Sequence, residues 1–242
     1  MSIRAVIFDI YNTLLEVGPP PPDAARRWEN LWQAMLGRSA RLSLPAFAAA
    51  CDQLIGSEHA AAREAGVLHP EVYWPDIAAG VLPELARLSA ADRDEFLFQQ
   101  AQLWHTVDLM EGAAKALSEL ISRNILLGLA SNSQPYTLRE LDDALAKAGV
   151  TRELFTPALC FFSFEHGFGK PDPLVFRSIT ARLRALEVQP GQTLVLGDKL
   201  ENDILPAQSQ GFQTWQLTHA LAPAPSGAGD WEKLAEWIRR NA

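Results

Sequence analysis

Four short apolar runs in this chain each end at residues able to do chemistry, and that repetition restricts the fold more than any other feature. Ala5-Val6-Ile7-Phe8 stops at Asp9, and Leu126-Leu127-Gly128-Leu129-Ala130 stops at Ser131-Asn132. Leu159-Cys160-Phe161-Phe162 leads past Glu165 to Lys170-Pro171-Asp172-Pro173, and Thr193-Leu194-Val195-Leu196 stops at Gly197-Asp198 with Asp203 close behind. A strand buried on both faces of a parallel sheet shows as such a continuous run, and open α/β sheets bind ligands beyond the carboxyl ends of their strands. The pattern predicts an α/β fold: a Rossmann-like parallel sheet with right-handed crossovers and helices on both faces.

Helical periodicity fills the intervals. Ala113, Leu117, Leu120 and Ile121 form one apolar face, and Leu138, Leu141, Leu145 and Ala148 form another. A fifth strand is expected at Gln213 to Leu217, then a Pro/Gly/Ala-rich loop from Ala222 to Gly229 and a closing helix carrying Trp231, Leu234 and Ile238. Between the first strand and Asp108 the pattern is helical, with no convincing strand. Pro19 to Pro22 cannot continue a helix and favour stiff polyproline geometry. Beyond them come a Trp28, Leu31, Trp32, Met35, Leu36 stripe, an alanine-rich stretch from Pro45 to Ala65, a segment from Pro75 to Leu88, and a helix from about Ala90 capped by Ser89 with Asp92. The expected organisation is a catalytic core of residues 1–17 and 107–242, with a smaller all-helical unit of residues 18–106 inserted after the first strand.

Charge and composition exclude several functions. A net charge of −8 without a basic stripe argues against nucleic acid as a partner. No apolar stretch approaches the eighteen or so residues of a membrane span, and the N-terminus runs straight into the first strand, so a cytoplasmic protein without a signal segment is expected. Cys51 and Cys160 lie far apart and outside any metal or redox spacing, which leaves them as small apolar residues.

Transfer of a phosphoryl group to a carboxylate needs a nucleophile, donors for the equatorial oxygens, a fixed positive charge and a divalent cation held by other carboxylates. Asp9 can attack, Thr13 and Ser131 can donate, Lys170 can neutralise, and Asp198 with Asp203 can hold magnesium through oxygen. Each residue also has a purely structural account. Ser131-Asn132 is a good polar turn, Asp203 favours a helix N-terminus, and Asp172 with Pro173 starts a helix without any function. None of these explains Lys170, or the order of all the groups along successive strands.

Asp9 to Thr13, Ser131, Lys170-Pro171-Asp172-Pro173 and Gly197-Asp198 with Asp203 resemble the four motifs of the haloacid dehalogenase superfamily of hydrolases, and Glu165 upstream of the lysine fits too. The resemblance implies that residues 18–106 form a helical cap and that Asp9 is the nucleophile. It implies that Thr13, Ser131 and Lys170 hold the bound anion, that Tyr11 and Asn132 contact the substrate, and that Asp9, Asp198 and Asp203 serve a Mg2+ ion.

Most phosphatases of the superfamily carry an acid–base Asp where this chain has Tyr11. The haloacid dehalogenases carry Tyr there, yet typically have Ser, Asn and Tyr at the positions of Asp198, Leu200 and Phe176. The expected activity is therefore magnesium-dependent hydrolysis of a small, anionic phosphorylated metabolite through an aspartyl phosphate, favouring good leaving groups. The alternatives are a 2-haloacid dehalogenase-like hydrolase in which Asp9 displaces halide, and a catalytically weak binding or regulatory module. Arg26, Arg27, Arg38, Arg41, Tyr73, Trp74 and His105 are candidates to face the substrate from the helical unit.

Overall fold

The computed structural model of the chain describes residues 2–218 and 227–241. Strand β1 (Ala5–Phe8) is followed by β2 (Leu15–Gly18), helices α1 (Ala24–Leu36), α2 (Leu44–Glu64), α3 (Trp74–Val81) and α4 (Ala90–Ala101), and strand β3 (Thr106–Leu109). Then come α5 (Ala113–Ser122), β4 (Leu126–Ser131), α6 (Pro135–Lys147), β5 (Cys160–Phe162), α7 (Ser163–His166), α8 (Pro173–Ala185) and β6 (Thr193–Gly197). A single π-helical turn (Leu200–Ile204) precedes α9 (Leu205–Ser209), β7 (Gln213–Leu217), β8 (Ala228–Gly229) and α10 (Trp231–Asn241).

The main sheet runs in the order β5-β4-β1-β6-β7-β8, and every adjacent pair is parallel. Its middle strands are almost wholly apolar because both faces are covered. Phe8, Leu129 and Leu196 belong to the cluster shared with Leu117, Leu141, Trp231 and Leu234 from α5, α6 and α10. Ile7, Ala130 and Val195 join Val175, Phe176 and Ile179 of α8 on the opposite face. Phe8 stands level with Leu129 on one side and Leu196 on the other, and the Asp9 amide continues the ladder to the Leu196 carbonyl at 2.9 Å. The carboxyl ends of β1, β4 and β6 are thereby brought together.

Helices α1 to α4 pack around an apolar cluster of their own, centred on Trp28, Trp32, Phe47, Trp74 and Phe96. Ser89 caps α4, its hydroxyl accepting from the Asp92 amide at 3.1 Å, and Asp172 caps α8 in the same way through the Leu174 amide at 2.9 Å.

Some expectations are corrected. The chain leaves and re-enters the α/β unit through an antiparallel ribbon, with Leu15 opposite Leu109 and Gly18 opposite Thr106, where no strand was expected. Its strands are short and mix polar with apolar residues, so neither resembles the buried runs. Ala228–Gly229 pairs with β7 as a strand rather than a loop, and residues 222–226 of that expected loop lie outside the described residues. Ile121 is 44% exposed, so α5 buries Ala116 in its place, and Ala148 falls just past the end of α6.

Candidate active site

Asp9 leaves β1 at the head of a tight loop in which Asn12 takes a left-handed conformation (φ 56°) and the amides of Leu14 and Leu15 return to the Ile10 carbonyl. This turn tucks Thr13 inside, fully buried, with its hydroxyl oxygen unpartnered. Lys170 arrives from the loop between α7 and α8, and its ammonium bonds Asp9 Oδ1 at 2.8 Å and also Asp203 Oδ1. Asn132 fixes that loop. Its side-chain nitrogen donates to the Lys170 carbonyl and its oxygen accepts from the Lys170 amide, both at 2.7 Å. Gly169 is needed beside it, because a Cβ there would run into the Asn132 amide group.

Asp203 sits in the π-helical turn after β6, 2% exposed, and its second oxygen accepts from the Lys199 amide at 3.0 Å. Gly197 makes room for it, since any Cβ at that position would collide with the Asp203 carboxylate. Asp198, half-buried beside them, has an inaccessible oxygen, Oδ1, with no hydrogen-bond partner. Asp9, Asp198 and Asp203 each offer an oxygen, and these oxygens lie within 4.8 Å of one another.

Three carboxylates thus gather where the Lys170 ammonium pairs with two of them, and Lys199 reaches Asp198 through its charge alone. Burial pulls the Lys170 pKa down, but Asp9 and Asp203 outweigh it and leave the pKa above its ordinary value. Burial, and then the charge of Asp9, push Asp198 above the usual carboxylate range. Burial pushes Asp203 up to about 6 against the pull of Lys170. Two like charges 4.8 Å apart cost roughly 3 kcal/mol at an effective dielectric of 20. An all-oxygen donor set with surplus negative charge and an orphaned buried carboxylate oxygen suits a hard divalent cation.

Tyr11 turns away from this cluster. Its hydroxyl bonds Glu140 Oε2 at 2.5 Å and Thr137 Oγ1 at 3.1 Å, both on α6. Glu140, 1% exposed, also accepts from Gln102 at 2.6 Å and pairs with His105 Nε2 at 2.9 Å. Burial and the neighbouring Glu140 drive the phenol far above its ordinary pKa, so it stays protonated. Glu140 carries no signal in the sequence, because it belongs to no motif and meets Tyr11 only in the fold.

The remaining candidates divide. Ser131 is buried at the end of β4, and Glu165 is exposed on α7. Arg26 and Arg27 pair with Asp23, whereas Arg38 and Arg41 pair with Glu84. Tyr73 stacks on Phe164, and Trp74 is buried with its indole donating to Gln100 at 3.2 Å. A second polar seam joins the helical unit to the loops that carry Asn132 and Lys170. Glu71 accepts from Ser163 at 2.8 Å and Gln134 at 3.2 Å, and Ser163 in turn accepts from the Ser133 amide at 2.9 Å. Backbone bonds from Glu71 to Gly167 and from Gly169 to His69 complete it.

Residues 3–211 match the family described as haloacid dehalogenase-like hydrolase. A phosphoserine phosphatase of Thermus thermophilus is 31% identical over 145 residues, covering 60% of this chain and 52% of that protein. The chain thus spans about half the length of the curated relative it matches. A 2-haloacid dehalogenase from Pseudomonas syringae superposes with a TM-score of 0.62 at 21% identity, covering 99% of this chain and 100% of the other. A HAD-hydrolase from Bacillus subtilis, solved bound to magnesium, superposes with a TM-score of 0.54 at 18% identity, covering 98% and 99%. At such identities the structures share the fold. No helix among the described residues is long and apolar enough to cross a membrane.

Proposed function

The chain belongs to the haloacid dehalogenase-like hydrolases, and from that premise we propose that it is a magnesium-dependent phosphatase of a small phosphorylated metabolite, with residues 18–106 as its cap. The observation that carries this reading is the excess of carboxylate around Lys170: three acids gather there, the ammonium pairs with Asp9 and Asp203 alone, and Asp198 keeps an unpartnered buried oxygen. A pocket so charged repels an anionic substrate unless a cation joins it. Asp9, Asp198 and Asp203 are the residues that would hold Mg2+, which supplies Lewis-acid neutralisation of the phosphoryl oxygens.

In the first step a carboxylate oxygen of Asp9 attacks phosphorus. The new Asp9 O–P bond forms as the ester or anhydride P–O bond breaks, and the carboxylate, enolate or phenolate departs with the electron pair. Lys170 fixes the attacking carboxylate in place and offsets the charge that gathers on the transferred group. Thr13 has a hydroxyl without a partner and Ser131 lies buried at the neighbouring strand end, so both are suited to donate to phosphoryl oxygens. In the second step water attacks phosphorus, the Asp9 O–P bond breaks with its electron pair returning to the carboxylate, and the proton of the water leaves with the released phosphate.

Tyr11 shapes the substrate range. Its proton is committed to Glu140 and held tightly, so it neither protonates a leaving group nor deprotonates water. Acyl, enol and aryl phosphates, which leave without help, are the expected substrates. Purified protein with magnesium should release phosphate from an aryl phosphate well above the Asp9→Asn background, and no difference between the two would end this reading.

The same observation on Tyr11 favours a second reading, because expulsion of halide needs no proton donor. Chloride release from 2-chloropropionate in the presence of a chelator would establish that chemistry instead. Phe176 weighs against it, being fully buried against Phe212. A binding module without catalysis would leave Asp9 unreactive towards beryllium fluoride.

A further inference from the structure

A cavity of about 330 Å³ lies where the helical unit meets the start of α6, and nothing in the reaction above uses it. Its walls combine three aromatic side chains, Trp74, Trp104 and Tyr136, with the carboxylates of Asp52 and Glu71 and the imidazole of His59. Trp74 and Trp104 form a corner, their ring centroids 4.9 Å apart and their planes at 70°. No lysine or arginine lines the cavity among the described residues. The negative field reaches its wall, since burial and then Glu140 and Glu71 raise the Tyr136 phenol well above its ordinary pKa.

One wall group lacks a partner. His59 Nε2 is inaccessible to solvent and has no hydrogen bond, whereas Trp74 donates its indole N–H to Gln100 and Glu71 is engaged by Ser163 and Gln134. Aromatic faces attract a desolvated cation, and carboxylates reinforce that attraction. Among the described residues, no lysine or arginine is there to balance an anion.

The cavity also adjoins the catalytic loops. Gln134, which lines it, lies three residues after Ser131, and Glu71 is linked through Ser163 to the Ser133 amide. We propose that this cavity takes an organic ammonium group and that the group is the distal end of the phosphorylated substrate. The substrate class is then a phosphate ester whose organic part carries a positive charge. The second half of this inference rests on the phosphatase reading; the first half does not.

The test uses choline and its neutral isostere 3,3-dimethyl-1-butanol, with binding followed by tryptophan fluorescence in the full chain. Choline should bind saturably and at least about tenfold more tightly than the isostere. Trp104→Leu should remove that preference. Asp52→Asn, at an exposed helix position where folding is not at risk, should weaken choline about threefold and leave the isostere unchanged. Equal binding of the two probes, or saturable binding of neither, overturns the ammonium site.

The source of the ammonium is decided by turnover. With magnesium, the aryl ester 4-(trimethylammoniomethyl)phenyl phosphate should exceed its neutral isostere 4-neopentylphenyl phosphate in kcat/KM about tenfold, and Asp52→Asn should narrow the gap. If choline binds but the two esters are hydrolysed equally, the cavity serves a separate ligand and the substrate assignment is wrong. If choline binds and no ester or aryl phosphate is hydrolysed, the phosphatase reading fails while the ammonium site survives.

Discussion

Tyr11 is the residue on which the chemistry turns, and its surroundings make opposite predictions for two roles. As a general acid or base it would contribute about 10² to 10⁴-fold to turnover. As a donor locked onto Glu140 it contributes to stability alone. Tyr11→Phe should therefore keep kcat on an aryl phosphate within about threefold while lowering stability by about 1 to 3 kcal/mol, the effect of taking one donor from a buried carboxylate. Steady-state kinetics with a denaturant melt separates the cases, and a hundredfold fall in kcat would assign Tyr11 to the reaction. Asp198 makes the complementary case. Its pKa is raised by burial and by Asp9, so the folded protein without metal is strained by its ionised form, and a neutral amide removes that strain. Asp198→Asn should melt no lower than the parent in chelator, yet bind magnesium about tenfold more weakly or worse, read by calorimetric titration. An unchanged magnesium affinity would remove Asp198 from the cation site.

Among the strands, the continuous apolar runs were legible and the half-exposed ribbon was not. Strands β1, β4, β5 and β6 stand where continuous apolar runs predicted them, because a strand inside a doubly covered sheet has no polar face to alternate, and β7 stands at its expected place although its residues alternate polar with apolar. The β2–β3 ribbon escaped because Glu16, Thr106 and Asp108 break its apolar pattern and its pairing spans some ninety residues of intervening helix. The site divides in the same way. Asp9, Lys170, Asp198 and Asp203 lie at strand ends or the loops after them and could be listed from sequence, whereas Glu140, Glu71, Ser163 and Gln134 gain meaning only from partners on distant segments. Glu84, on the turn after α3, shows how such pairing becomes a pH effect. Its burial alone would raise its pKa, but its own backbone amide together with Arg41 and Arg38 holds it below the ordinary 4.5. A depressed carboxylate stabilises the fold above that unfolded value and loses the contribution as pH falls through the lower, folded value. Because both arginines are partly exposed, the effect is about 1 kcal/mol or less. Glu84→Gln should lower the melting point at pH 7 and flatten its decline below pH 4.5, followed by the fluorescence of Trp28 and Trp32.

At the scale of the molecule, the helical unit and the α/β unit have separate apolar clusters that meet through few aromatic contacts, Tyr136 on the helical cluster and Tyr73 on Phe164, so their relative position depends largely on the polar seams between them. One seam is Tyr11, Glu140, Gln102 and His105 beside the ribbon; the other joins residues 69–74 to the loops that carry Ser131 and Lys170. Gln134 is central to the second, accepting from the Trp74 amide at 2.8 Å and donating to the Val72 carbonyl at 2.8 Å and to Glu71 at 3.2 Å. Removing a side chain that satisfies three partners at once costs more than one hydrogen bond, yet it leaves both apolar clusters intact. Gln134→Ala should leave overall folding cooperative while raising amide hydrogen exchange in residues 70–74 about tenfold or more, because opening of the helical unit over the site becomes easier. The same variant should raise KM more than it lowers kcat, since the seam positions the unit that encloses the substrate while Asp9 and Lys170 keep their own contacts. Exchange unchanged in residues 70–74, or accelerated equally across β1 and β4, would show that the two units are held by something other than this seam.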